Sequence, residues 1–127
     1  MRRSSLPAAL LAVLLLGCGD DGEEAPERAL TVPTGGTVRV VGDEYSFDPA
    51  RVVVKGAGPL TIRLANRGSL AHNLRLFRVD EDVGGTRTFP GGRTESARVN
   101  LEHGNYEMVC TVGDHAELGM TGTLEVR

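Results

Sequence analysis

From Ala29 onward, apolar and polar residues alternate in short runs, and no run keeps an apolar period near 3.6. Thr37-Val38-Arg39-Val40, Thr61-Ile62-Arg63-Leu64, Ala97-Arg98-Val99-Asn100-Leu101-Glu102 and Thr123-Leu124-Glu125-Val126 each present one apolar and one polar face. That is the pattern of a half-buried β-strand. Turn-forming groups separate the runs: Gly35-Gly36, Asp48-Pro49, Gly56-Ala57-Gly58-Pro59, Gly68, Gly84-Gly85, Pro90-Gly91-Gly92 and Gly104-Asn105. About seven or eight strands result. Strands this short, each with one face to bury, predict two antiparallel sheets packed face to face with Greek-key connections, an all-β sandwich over residues 29–127. The stretch from Asp80 to Arg93, rich in Gly, Asp and Thr, is expected to be a loop or a ragged edge.

The N-terminus obeys a different rule. Arg2 and Arg3 precede an apolar run from Leu6 to Leu16 that is too short to span a bilayer comfortably, and small residues come next. Residues 1–17 therefore read as a signal peptide. Leu15-Leu16-Gly17-Cys18 resembles a bacterial lipobox, in which the cysteine is diacylated and becomes the first residue after processing. The resemblance implies lipidation of Cys18, and several acyl chains make attachment stable because each buried methylene adds about 0.8 kcal/mol. Residues 18–28 continue as an acidic linker, with Asp20, Asp21, Glu23, Glu24 and Glu27. The expectation is a domain tethered to a bacterial membrane outside the cytoplasm, on its periplasmic or outer face.

Charge narrows the partners. The chain has 14 Lys and Arg against 17 Asp and Glu, and removing residues 1–17 takes away two positive and no negative charges, moving the formal balance from −3 to −5. Nucleic acid is excluded as an expected partner on that balance. There are two cysteines. If Cys18 carries lipid, Cys110 has no thiol to pair with in an oxidising compartment, and metal ligation is the best reason for it to be there.

Cys110, His115 and Met120 fall within eleven residues of one another, and His72 lies far upstream. A thiolate, two imidazoles and a weak thioether suit a copper ion that cycles between two oxidation states, since soft sulfur holds the reduced form and imidazole tolerates both. Taken singly, each residue has a plainer reading: Cys110 as a core thiol in line with Tyr106 and Met108, Met120 as core filler, His72 as a hydrogen-bonded histidine and His115 as a loop residue. All four plain readings must hold together for the metal to be dismissed. His103, ahead of Gly104-Asn105, is expected to be an exposed turn residue.

The order of these segments resembles the small blue copper proteins, the cupredoxins. Tyr45-Ser46-Phe47-Asp48-Pro49, Arg51 to Leu60, Leu64-Ala65-Asn66-Arg67-Gly68 and Ala71-His72-Asn73-Leu74 are similar to the strands leading to that family's first ligand. Leu101 to Cys110, then His115, Gly119-Met120 and Gly122 to Val126, are similar to its closing segment. The resemblance covers nearly everything from about residue 37. Four residues separate Cys110 from His115 and four more separate His115 from Met120, a loop that resembles the rusticyanin-like branch more than plastocyanin. Gly113-Asp114 lacks the proline frequent in plastocyanin-like domains.

The resemblance implies a single copper ion, Cu(I)/Cu(II), with His72, Cys110 and His115 in a trigonal plane and Met120 as the weak axial ligand. It implies that Asn73 ties the two ligand-bearing segments together without ligating. The expected activity is electron transport between redox partner proteins by a monomer, with no catalysis. A docking face is expected around His115 with Ala116, Leu118 and Pro90, framed by Asp114 and Glu117. Storage or delivery of copper without redox cycling is the alternative.

Overall fold

In the computed structural model the described residues are 28–127; the segments expected to be a signal peptide and an acidic linker up to residue 27, and Cys18 with them, lie outside those residues. Among these described residues ten strands form in chain order: β1 Leu30–Pro33, β2 Thr37–Asp43, β3 Ser46–Asp48, β4 Arg51–Lys55, β5 Gly58–Asn66, β6 Arg75–Arg78, β7 Glu81–Gly85, β8 Thr94–Leu101, β9 Gly104–Val109 and β10 Thr121–Val126. They make a six-stranded sheet, β1-β4-β10-β9-β6-β7, and a four-stranded sheet, β3-β2-β5-β8. The all-β sandwich is as expected from the alternation, but the strands number ten, because segments of three to five residues such as β1, β3 and β7 are too short to give a period of their own.

The sheets are mixed rather than purely antiparallel. β4 lies between β1 and β10 and is parallel to both, and β2 is parallel to β5. Parallel neighbours bury β4 thoroughly, and Val52, Val53 and Val54 are all inaccessible, so this strand reads as a continuous apolar run. The stretch expected to be a loop or ragged edge holds the edge strand β7, whose pairing with β6 shifts register between Leu76 and Phe77.

Between the sheets, Val38 and Val40 of β2 and Leu60, Ile62 and Leu64 of β5 face Tyr106 and Met108 of β9, Leu124 and Val126 of β10, and Leu74 and Leu76 near β6 in one apolar core. The register pairs Val38 with Ile62 and Val40 with Leu64, so the alternating residues of both strands share one inward face. Gly122 of β10 sits opposite Met108, where a Cβ would collide with the methionine methyl and with the Ala50 carbonyl.

Two pairings bring the candidate ligands to one end of the sandwich. β9 and β10 form a hairpin whose connection, residues 110–120, leaves the top of the six-stranded sheet. β6 pairs antiparallel with β9, with Arg75 opposite Val109, which brings the residues just before Arg75 alongside those just after Val109.

Candidate metal centre

Cys110 comes directly after the last residue of β9, with Tyr106 and Met108 buried on the same side of the strand. The chain then turns back on itself. The His115 N–H donates to the Val112 carbonyl (3.1 Å), the Met120 N–H to the His115 carbonyl (3.0 Å) and the Cys110 N–H to the Met120 carbonyl (3.1 Å). These bonds tie three of the four sequence-predicted donors into one short loop. Gly119, at φ +113°, supplies a backbone conformation that residues with a Cβ rarely adopt.

His72 arrives from the other side, and it exchanges backbone hydrogen bonds with Phe89 (3.1 and 3.0 Å). The residue after it, Asn73, reaches across to the cysteine segment. Its Oδ1 accepts the Thr111 N–H (2.9 Å), and its Nδ2 donates to the hydroxyls of Thr111 (2.8 Å) and Thr88 (2.9 Å). Asn66 clamps the approach: Nδ2 donates to the Leu70 and Phe89 carbonyls, and Oδ1 accepts the Gly68 N–H.

The result is a compact triangle of donors. His72 Nδ1 lies 3.1 Å from His115 Nδ1, and Cys110 Sγ lies 3.8 Å and 3.6 Å from the two nitrogens. All three side chains are buried, Cys110 and His72 completely and His115 at 7% exposure. A point equidistant from the three atoms is about 2 Å from each, close to the ~2.0–2.3 Å of imidazole and thiolate bonds to a first-row metal. Three donors converging this tightly in a dry site can share protons among themselves, and the same convergence leaves a central point at bonding distance from all three for one cation. The residues therefore fit a metal, and two imidazoles with one thiolate in a trigonal set match copper better than tetrahedral zinc. Met120 is fully buried at the loop's end, its methyl against the α-carbon of Gly42, where a Cβ would stand 3.2 Å away.

The β2–β3 turn completes the surroundings, through residues that sequence reasoning did not single out for the site. The Tyr45 ring packs against His115 with centroids 5.0 Å apart and planes tilted by 56°. Glu44 Oε1 stands 3.3 Å from His72 Nε2 and accepts the Leu70 N–H at 2.7 Å. The Leu70 amide, above all, holds the Glu44 carboxyl below its ordinary pKa, while burial lowers that of His72 against the opposing pull of Glu44. Burial thus favours neutral His72, the form that ligates metals. Only proximity in space marks Glu44; in the sequence it is one of two adjacent acidic residues at a turn. No buried side-chain nitrogen or oxygen among the described residues lacks a hydrogen-bond partner. His103 is exposed and outside the cluster, and Cys18 lies outside the described residues.

Asn73→Ala should lower the unfolding free energy of the metal-free protein by about 1–3 kcal/mol, because it deletes three hydrogen bonds and strands the Thr111 amide. Urea denaturation measures this; a loss under about 0.5 kcal/mol would mean that Asn73 does not hold the two segments together.

No family model matches the chain, and no curated protein matches its sequence. Solved structures do. Auracyanin A from Chloroflexus aurantiacus, a "blue" copper protein, is similar at a TM-score of 0.63 with 23% identity over 76% of this chain and 100% of that one. Rusticyanin from Thiobacillus ferrooxidans gives 0.53 and 22%, over 76% and 82% of the respective chains. A multicopper oxidase gives 0.58 and 14%, over 72% of this chain and 41% of the oxidase. The sandwich thus has the cupredoxin fold.

Proposed function

We propose that the protein is an electron carrier with a single type 1 copper ion, held by Cys110, His72 and His115 with Met120 as a weak fourth donor. The observation that carries this reading is the buried triangle of two Nδ1 atoms and one Sγ, with sides of 3.1–3.8 Å. A copper ion held by such donors supplies one-electron Cu(I)/Cu(II) chemistry.

The protein's own part is to keep the donors in place. The ligands come from two segments fixed to each other by the β6–β9 pairing and by Asn73, so little rearrangement accompanies a change of charge. Burial keeps water out of the cage, and His115 alone of the three has an exposed edge. Electrons are proposed to enter and leave there, exchanged with redox partner proteins that dock on the surrounding surface. Leu70 and Leu118, 44% and 51% exposed, belong to the two loops that bear the rings, and Pro90, Asp114 and Glu117 are exposed nearby in sequence to these groups. An apolar centre with an acidic rim suits brief, steered encounters. The described residues supply one set of copper donors and no second cluster of His, Cys, Asp and Glu, which favours a carrier over an oxidase. The chain is proposed to act as a monomer, tethered through lipidated Cys18 outside the cytoplasm, with residues 18–28 as the spacer.

Cu(II) added to the purified protein should produce a strong visible absorption band at one equivalent, and Cys110→Ser should abolish it. A colourless protein at stoichiometric copper would end this reading. Reversible voltammetry with slow loss of copper to a competing chelator supports a carrier, whereas rapid release identifies a storage or delivery protein. Met120→Leu should retain the metal and raise the reduction potential, since losing a weak donor disfavours the oxidised ion more; an unchanged potential would remove Met120 from the ligand set. Mass spectrometry of the cell-derived protein should find Cys18 as an acylated N-terminal residue, and an unmodified Cys18 would overturn the anchor.

A further inference from the structure

Among the described residues Glu44 is the one carboxylate in contact with the donor triangle, and nothing in the ligand set requires it. Its Oε1 lies 3.3 Å from His72 Nε2, on the side of the ring away from Cys110 and His115. The same oxygen accepts the Leu70 N–H at 2.7 Å, so the carboxylate bridges the β2–β3 turn to the loop that leads into His72. Asp43 Oδ1 accepts the Glu44 N–H at 2.8 Å and steadies the turn from below. Gly68 completes the seat: the space a Cβ would take there is filled by the Glu44 carboxylate.

A neutral imidazole has one protonated and one bare nitrogen, and the two tautomers are close in energy until a neighbour chooses between them. A carboxylate accepts and never donates, so one at Nε2 puts the ring proton there and leaves Nδ1 bare. That is the tautomer in which Nδ1, 3.1 Å from His115 Nδ1 and 3.8 Å from the cysteine sulfur, can bind a cation.

We infer that Glu44 is the positioning residue of this centre: it fixes His72 with Nδ1 free, and its negative charge, aligned through the imidazole, favours the oxidised over the reduced ion. The second half rests on the copper reading; the first concerns the protein alone. His72 is wholly buried and the Glu44 side chain 23% exposed, so solvent screens the pair only in part. Carboxylates in this relation to a ligating histidine orient the ring and raise its basicity.

Two substitutions separate the effects. Glu44→Gln keeps an acceptor oxygen and removes the charge, whereas Glu44→Ala removes both. In metal-free protein, nitrogen-15 NMR of His72 should find the proton on Nε2 in the wild type and in Glu44→Gln, and a mixture of tautomers in Glu44→Ala. An Nε2-protonated ring in Glu44→Ala, equal to wild type, would overturn the positioning role. With copper, Glu44→Gln should keep the visible band while the Cu(I):Cu(II) ratio at a fixed solution potential rises about three- to fifty-fold, the Coulomb effect of one nearby charge in partly wet surroundings. An unchanged ratio would overturn the electrostatic role. Absence of the band in the wild type would defeat the copper reading itself and leave the tautomer measurement standing.

Discussion

The antiparallel pairing of β6 with β9 is the constraint on which the site depends. With Arg75 opposite Val109, the residues before β6 run beside those after β9, and His72 meets Cys110 across a separation of 38 residues. Past the last ladder bond the backbone cannot continue the pairing, because the cysteine segment turns away into its loop. Asn73 takes over, accepting the Thr111 amide in place of a strand carbonyl and donating to two threonine hydroxyls. A side chain thus extends the sheet to the point where metal donors must converge. A buried amide that satisfies its own polar atoms while satisfying a neighbour's is stable only in one arrangement, which makes the junction specific as well as firm.

The second support is the far end of β2. Gly42, Glu44 and Tyr45 touch Met120, His72 and His115 in turn. One short stretch of the four-stranded sheet therefore leans on three of the four predicted donors, which belong to the six-stranded side. Each contact uses a different physical property: absence of a side chain, charge, and an aromatic face. The sandwich is in this sense a clamp, with the apolar core holding the sheets at a fixed separation while the turn closes one end. Such a cage resists changes of shape.

Burial is graded across the two rings. His72 has no accessible surface and is backed by Glu44 and Phe89, whereas His115 keeps an exposed edge on a loop flanked by Leu118 and acidic groups. The same two chemical groups thus divide the work, one anchored inward and one facing the outside. The division comes from where each sits in the fold: His72 lies between two loops that cover it, while His115 is at the turn of a connection that leaves the sheet.

By itself the sequence determined the all-β class of the fold and which residue types could converge as donors. Alternation in Thr37–Val40, Thr61–Leu64 and Thr123–Val126 suffices for half-buried strands, because a period of two is a local property of the extended chain. The compact Cys110, His115 and Met120 spacing is likewise local. What only the tertiary structure decided is everything that depends on which strands become neighbours. β1, β3 and β7 are too short to announce themselves, and whether β4 runs parallel to β1 and β10 is invisible to any local period. Glu44 is the sharpest case: beside Asp43 it is an ordinary turn acid in sequence, and it gains meaning only when the loop of Gly68 and Leu70 folds over it and sets His72 against its carboxylate. Contacts across long separations carry no local signature, so they are decided by packing of the whole chain.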